Sequence, residues 1–187
     1  MIKVLIADDH TLFRDGLRRI FGEADGIEVV AEAIDGKDTI KKAKEYDWDI
    51  VLLDINFPDM NGLEVLKRIS SANLPSYVLV LSMYSEEEYA IRAMRSGASG
   101  YMTKDSPADQ LINVIHCLAN GNKYVNSDLA EKLLFTHAVN SEELMHTAFS
   151  DREFHVFKLI VSGESLTSIA NKLSLSVKTV STYRSRI

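Results

Sequence analysis

The sequence predicts an α/β protein: a doubly wound, five-stranded parallel sheet followed by a small all-α unit. Short Val-, Ile- and Leu-rich runs recur five times with helically spaced stretches between them, the alternation that builds a parallel sheet with crossover helices. Four of the five runs are continuous or nearly so, as strands covered on both faces require. After Gly121 that alternation stops and the charge changes sign. Residues 151–187 hold six basic and three acidic side chains, against 15 basic and 24 acidic in residues 1–150. An acidic body with a basic end segment suggests two modules, the second suited to nucleic acid, although three net charges on a short segment also arise by chance.

Composition bounds the function classes. The 187 residues suffice for one large or two small domains at roughly 100–200 residues each. A hydrophobic fraction of 46% with 26% charged residues excludes a disordered chain. No apolar run reaches the roughly 18 residues of a membrane helix, so no membrane partner is expected. The opening Met1-Ile2-Lys3-Val4-Leu5-Ile6-Ala7-Asp8-Asp9-His10 has only a short apolar stretch before its acids, unlike a signal peptide. The lone Cys117 excludes a disulfide framework and a cysteine-based zinc site, and a reducing cytoplasm is the expected compartment.

The predicted strands are Lys3–Ala7, Ile27–Ala31, Ile50–Asp54, Tyr77–Leu81 and Ala98–Met102. The first helix is marked by Leu12, Leu17, Ile20 and Phe21, the second by Ile40 and Ala43, and the third by Leu63, Leu66 and Ile69. Ala90, Ala93 and Met94 mark the fourth, and Leu111, Ile112, Ile115 and Leu118 the fifth. This first domain spans 1–121. Residues 122–147 read as a linker with one helix, patterned by Leu129, Leu133 and Leu134 behind a Ser127 cap. Residues 148–187 form the second domain. Ser150-Asp151-Arg152-Glu153 is a capping-box signature opening an amphipathic run through Phe154, Phe157, Ile160 and Val161, which Gly163 stops. Thr167–Leu173 and Val177–Ile187 follow as two short helices around a brief turn, the outline of a helix-turn-helix.

Asp8 and Asp9 follow the first strand and Asp54 ends the third. In a parallel sheet all carboxyl ends share one edge, and in the flavodoxin-like order strands one and three flank the point where strand order reverses. Three carboxylates packed there repel one another unless a hard divalent cation joins them, and oxygen ligands with room for water suit Mg2+. Asp54 is then placed to attack a phosphoryl group as an anionic nucleophile. Ser82, after the fourth strand, offers a hydroxyl donor, and Lys104, after the fifth, offers an ammonium to a phosphoryl oxygen. Taken singly, each has a plainer role, since strand ends are often polar and Asp9 or His10 is able to cap the first helix. His10 reads as an exposed loop histidine, and His116, His137, His146 and His155 are too scattered to share a metal. Tyr101 alone reads as an ordinary edge-strand aromatic, and Cys117 as a small buried residue on the fifth helix.

The motifs Val4-Leu5-Ile6-Ala7-Asp8-Asp9-His10, Asp54-Ile55-Asn56-Phe57-Pro58-Asp59-Met60-Asn61-Gly62, Leu81-Ser82 and Gly100-Tyr101-Met102-Thr103-Lys104 resemble a bacterial two-component receiver domain. Ser150-Asp151-Arg152-Glu153, Ile169-Ala170 and Ser176-Val177-Lys178-Thr179-Val180 resemble a LuxR-type helix-turn-helix, as in the NarL/FixJ-like response regulators. The resemblance implies that Asp54 accepts a phosphoryl group from a sensor histidine kinase. It implies that Asp9, Asp54 and the backbone carbonyl of Asn56 bind Mg2+, with Asp8 helping through water. It further implies that Ser82 swings toward the phosphoryl group with Tyr101 turning inward behind it, and that Lys104 pairs with a phosphoryl oxygen. Two departures stand out in the receiver motifs: Asp105 follows Lys104 where many receivers have proline, and Asn56 and Tyr84 sit near the phosphoryl site, where they are expected to tune its lifetime. In the second module Tyr183 stands where the family usually has histidine.

On the last helix, Val177, Val180, Arg184 and Ile187 form one stripe, expected to face the core. Lys178, Ser181, Thr182 and Ser185 form the opposite one. Such a face suits the major groove of double-stranded DNA, with Lys178, Thr179 and Tyr183 toward phosphates and Ser181, Thr182 and Ser185 toward base edges. Without the family pattern it reads equally as a solvated helix face. LuxR-type units carry one more helix, so the sequence reads as truncated, its last helix missing. The expected function is a DNA-binding transcriptional regulator that transfers a phosphoryl group to its own Asp54, slowly loses it, dimerises when phosphorylated and is no stand-alone catalyst. The alternative is a receiver-fold protein acting independently of phosphorylation, as a protein-binding module. A haloacid-dehalogenase-type phosphatase would need an acid where Asn56 stands, and a nucleotide-binding enzyme would need a glycine-rich loop after the first strand.

Overall fold

The computed structural model describes residues 1–72, 74, 76–83, 86–126, 130, 149–173 and 175–187, with 86–88 and 151 described in backbone only. The chain divides into two compact units, Met1–Phe135 and Thr136–Ile187.

The first unit is built from five parallel strands, β1 (Ile2–Ala7), β2 (Ile27–Ala33), β3 (Ile50–Asp54), β4 (Tyr77–Ser82) and β5 (Gly100–Thr103). Their order is β2-β1-β3-β4-β5, the flavodoxin-like order expected. Every residue of β3 is buried, which accounts for its uninterrupted apolar run. β2 lies at an edge and has an alternating burial pattern, and a register shift in its pairing with β1 falls between Val4 and Leu5.

Four helices connect the strands, α1 (Thr11–Gly22), α2 (Gly36–Glu45), α3 (Gly62–Ser71) and α4 (Glu86–Arg95), and α5 (Ala108–Ala119) follows the last strand. One face of the sheet packs Val4, Ile6, Leu52 and Leu81 against Leu17 and Phe21 of α1 and Ile115 and Leu118 of α5. Leu12, expected in the α1 stripe, is instead 88% exposed. The inward row is Phe13, Leu17 and Ile20, spaced i, i+4, i+7 along one face. Cys117 is half-buried, less enclosed than its helix pattern suggested.

The helix starts follow local chemistry. Asp35 accepts a hydrogen bond from Asp38 N at 2.7 Å to begin α2, and Asn61 accepts from Leu63 N at 2.8 Å to begin α3, each satisfying an N–H that the first turn leaves free. His10 occupies the α1 cap position without a side-chain cap bond. The helix expected behind Ser127 lies outside the described residues apart from Ala130, whose N–H donates to Asn126 O at 2.9 Å.

The second unit contains α6 (Asp151–Val161), α7 (Leu166–Lys172) and α8 (Val177–Arg186). The expected capping box forms: Ser150 Oγ accepts from Glu153 N at 3.3 Å, and Glu153 Oε2 accepts from Ser150 N at 3.0 Å. Gly163, at φ +83°, ends α6 in a conformation that favours glycine. The core is Val156, Ile169, Ala170, Leu173 and Val180. Val161 is largely exposed. On α8 only Val180 of the expected inner stripe is buried. Val177 is 45% exposed, and Arg184 and Ile187 also face solvent. Tyr183 takes that inward place and packs half-buried on the core.

Candidate functional site

The registers Ala7↔Leu53, Asp54↔Leu81 and Ser82↔Thr103 bring the carboxyl ends of β1, β3, β4 and β5 to one edge of the sheet. Asp8, Asp54, Ser82 and Lys104 therefore leave four neighbouring strands side by side. The three acids meet: ligand atoms of Asp8, Asp9, His10 and Asp54 all lie within 4.8 Å of one another.

Asp8 and Asp54 are buried, whereas Asp9 is partly exposed. Lys104 Nζ lies 2.6 Å from Asp8 Oδ2 and 2.8 Å from Asp54 Oδ2, and the lysine side chain is only 5% exposed. Its ammonium also sits 4.7 Å from the Phe13 ring centroid, within reach of a cation–π attraction. Asp54 Oδ1 is buried with no hydrogen-bond partner among the described residues. Burial pushes the Asp54 carboxyl up to about 6, against the opposing pull of Lys104, with Asp8 adding to the rise. Burial alone would lower Lys104, but Asp54 and Asp8 outweigh it and hold the ammonium above its ordinary value.

His10, next to the acids in the sequence and read as an exposed loop residue, lies beside this cluster. Its ring is mostly exposed, yet Nδ1 lies 2.7 Å from Asp9 Oδ1, 3.1 Å from Asp8 Oδ1 and 3.9 Å from Asp54 Oδ2. Its backbone N–H donates to Asp8 Oδ1 at 2.8 Å. Arg14 fixes the same turn from below, donating to Asp8 O and to Glu32 Oε2, both at 2.8 Å.

The loop after Asp54 folds back on itself. Gly62 N donates to Ile55 O at 2.6 Å, and Asn56 bridges Asn61. A Cβ at Gly62 would stand 2.1 Å from Asp54 O and 2.6 Å from Ile55 Cα, so only glycine fits against the acceptor strand. Asp59, beyond the loop's tip, accepts from Gly36 N at 2.8 Å and Lys37 N at 3.1 Å, pinning the loop to the start of α2. Ser82 and Tyr101 are both fully buried on neighbouring strands, and Lys104 N donates to Ser82 O at 2.8 Å. Tyr84, expected near the phosphoryl site, lies outside the described residues.

In the second unit, Lys178, Thr182 and Ser185 are exposed on α8, while Thr179, Ser181 and Tyr183 are half-buried. Ser176 caps the helix by accepting from Thr179 N at 3.0 Å. The Thr182 and Ser185 hydroxyls donate back to Lys178 O and Ser181 O, each at 3.0 Å, which leaves their acceptor lone pairs outward.

Comparison with known proteins agrees with both units. Residues 4–116 match the response regulator receiver domain, and residues 147–187 match the bacterial regulatory proteins of the luxR family. Over its full length the chain is 33% identical to response regulator GacA of Pseudomonas protegens, covering 88% of that protein. It is 32% identical to response regulator UvrY of Escherichia coli, again over its full length, covering 86% of that one. Among solved structures, a LuxR-family two-component response regulator from Aurantimonas sp. SI85-9A1 superposes with a TM-score of 0.66 at 29% identity, spanning 73% of this chain and 98% of that one. The response regulator ChrA of a heme-sensing two-component system aligns over 100% of this chain and 88% of its own, at 31% identity and a TM-score of 0.57. With its acidic pocket at the switch point of the sheet and its helix-turn-helix, the chain belongs to the two-component response regulators that join a receiver domain to a LuxR-type DNA-binding domain, and it is a transcriptional regulator of that family.

Proposed function

We propose that Asp54 is the phosphoryl acceptor of this regulator and that a sensor histidine kinase is the donor. The observation that carries this reading is Asp54 Oδ1, a buried carboxylate oxygen without a partner among the described residues, beside a lysine that occupies only the other oxygen. An unsatisfied buried carboxylate oxygen is costly unless something is meant to bind it. In the transfer, an Asp54 oxygen forms a bond to phosphorus as the bond between phosphorus and the kinase imidazole nitrogen breaks, and that nitrogen leaves with the electron pair.

The donor set fits Mg2+, held by Asp8, Asp9, Asp54 and the backbone carbonyl of Asn56. Three carboxylates against one ammonium leave two negative charges, the charge of one divalent cation. The bound ion supplies neutralisation of charge on the phosphoryl oxygens. Lys104 exchanges its contact with Asp54 for one with a phosphoryl oxygen, and Ser82 donates its hydroxyl to another. Tyr101 rests in the sheet behind Ser82. The new charge thereby alters the face formed by β4 and β5.

In the output unit, Lys178 and Thr179 face DNA phosphates while Ser181, Thr182 and Ser185 face base edges. Tyr183, half-buried on the core, has at most its outer edge for a phosphate. We assign 1–121 to the receiver, 122–147 to the linker and 148–187 to the DNA-binding domain. Phosphorylation favours a homodimer on double-stranded DNA in the cytoplasm, and the phosphoryl group is lost slowly from Asp54 by hydrolysis. Incubation with acetyl phosphate and Mg2+ tests the reading: one phosphoryl group, a gain of about 80 Da, supports it, and its persistence in Asp54→Asn contradicts it.

A further inference from the structure

We infer that Asp59 is a positioning residue for the acceptor loop: it clamps the loop onto the start of α2, and the clamp holds the Asn56 carbonyl beside Asp54 as a Mg2+ ligand. The inference rests on the proposed phosphoryl-acceptor site and names what keeps one of its ligands in place.

The first turn of an α-helix leaves N–H groups without intrahelical partners. On α2 two acids share them. Asp35, the residue just before the helix, accepts from Asp38 N at 2.7 Å. Asp59 accepts from Gly36 N at 2.8 Å through one oxygen and from Lys37 N at 3.1 Å through the other. The helix's own cap thus takes one N–H, and the acceptor loop supplies the carboxylate that takes two more. A carboxylate accepting from backbone N–H groups makes charge-assisted bonds, and the positive end of the helix dipole favours it there.

A steric fit marks the same contact independently. A Cβ at Gly36 would stand 2.4 Å from Met60 Cγ and 2.9 Å from Met60 Sδ. The bare backbone of Gly36 therefore lets Met60, the neighbour of Asp59, bury against the start of α2.

The rest of the loop passes this anchor on to Asn56. Asn56 bridges Asn61, and Gly62 N donates to Ile55 O at 2.6 Å, so both arms of the loop are tied to each other at its base. Those contacts join the loop to itself, whereas Asp59 joins its tip to a helix start 23 residues away in the chain. A tip released from α2 shifts the bridged base, and with it the carbonyl of Asn56. Asp59 is not one of the acids that meet at the cation site, so it acts on the ion through the loop rather than by contact.

The test compares the two acids that cap one helix, in the full chain. Asp35→Ala and Asp59→Ala each remove a helix cap, and each is expected to lower the thermal midpoint. Mg2+ affinity, measured by calorimetry without a phosphoryl donor, separates them. Asp59→Ala is expected to lose about tenfold in affinity, and Asp35→Ala less than about twofold. Asp59→Asn keeps one acceptor oxygen and is expected to fall between Asp59→Ala and the wild type. Acetyl-phosphate labelling follows the same order: Asp59→Ala is expected to need about tenfold more Mg2+ for half-maximal labelling and to approach the wild-type rate once Mg2+ saturates. Wild-type Mg2+ affinity in Asp59→Ala, or an equal loss in both alanine variants, overturns the inference, makes Asp59 a helix cap alone and leaves Asp54 as the acceptor. A wild-type chain that neither binds Mg2+ nor takes label at Asp54 overturns the acceptor reading itself, and the role of Asp59 falls with it.

Discussion

The Lys104 ammonium contacts one oxygen of Asp54, at 2.8 Å, and the other oxygen is buried without a hydrogen-bond partner among the described residues. The same ammonium lies 2.6 Å from Asp8, so one positive charge holds two buried carboxylates together. Removing one member of such a group leaves uncompensated charge in a dry site, at a cost of about 3–5 kcal/mol.

Lys104→Met keeps an unbranched side chain of similar reach and removes the charge that sits over the Phe13 ring. Without divalent cation, the variant is expected to lose about 3 kcal/mol of stability in urea unfolding. Adding Mg2+ is expected to restore more stability to the variant than to the wild type, because the ion then replaces the missing ammonium. Equal Mg2+ stabilisation of both would contradict that arrangement. Lys104→Ala is further expected to accept phosphoryl groups yet fail to raise DNA affinity on phosphorylation, as read by gel shift.

Gly62→Ala places a methyl group against backbone atoms of Asp54 and Ile55 that have no room to move. Overpacking of this kind costs about 1–3 kcal/mol, and the acceptor loop carries the displacement. Reduced thermal stability together with slower acetyl-phosphate labelling is the expected outcome. Labelling at the wild-type rate in a destabilised variant would separate the glycine from the acceptor geometry.

His155 gives the helical unit a pH dependence. Burial, with Arg152 nearby, lowers its pKa from 6.5 to about 4, so the folded state binds the proton more weakly than the unfolded state. Its contribution is fully present above about pH 6.5 and is lost as pH falls toward 4, amounting to about 2 kcal/mol between pH 7 and pH 5. His155→Leu is expected to flatten this slope in the unfolding transition of α6–α8. An unchanged slope would assign the acid sensitivity elsewhere.

On α8, Lys178 and the hydroxyl row make different predictions. Lys178→Ala is expected to weaken binding to all DNA sequences alike and to reduce the dependence of log affinity on log salt by about 1. Thr182→Val is expected to change which base is preferred while sparing the salt slope. Fluorescence anisotropy on specific and scrambled duplexes across a salt series distinguishes the two effects.

Much of this arrangement could be read from the residues, for a physical reason. Continuous apolar runs such as Ile50–Asp54 report burial on both faces, and parallel strands bring their carboxyl ends to one edge, so Asp8, Asp54 and Lys104 were certain to meet once the strands were found. Contacts set by the path of a loop were less legible. His10 has the sequence context of an exposed turn, and both its N–H and its ring nitrogen approach the acids. Asp59 reads as a surface acid, and its two bonds to the start of α2 join segments 22 and 23 residues apart. Leu12 and Phe13 both fit a helical stripe, and the choice depends on where α1 meets β1 and α5. Likewise Val177 fitted an inner stripe of α8, but α6 and α7 cover only the part of that helix where Val180 and Tyr183 lie.

The most direct test of the central claim is acetyl-phosphate labelling of the full chain with Mg2+, followed by peptide mapping of the modified site. The account predicts one phosphoryl group, carried by the peptide containing Asp54 and absent from Asp54→Asn. Label on any other residue, or equal labelling of Asp54→Asn, would contradict it.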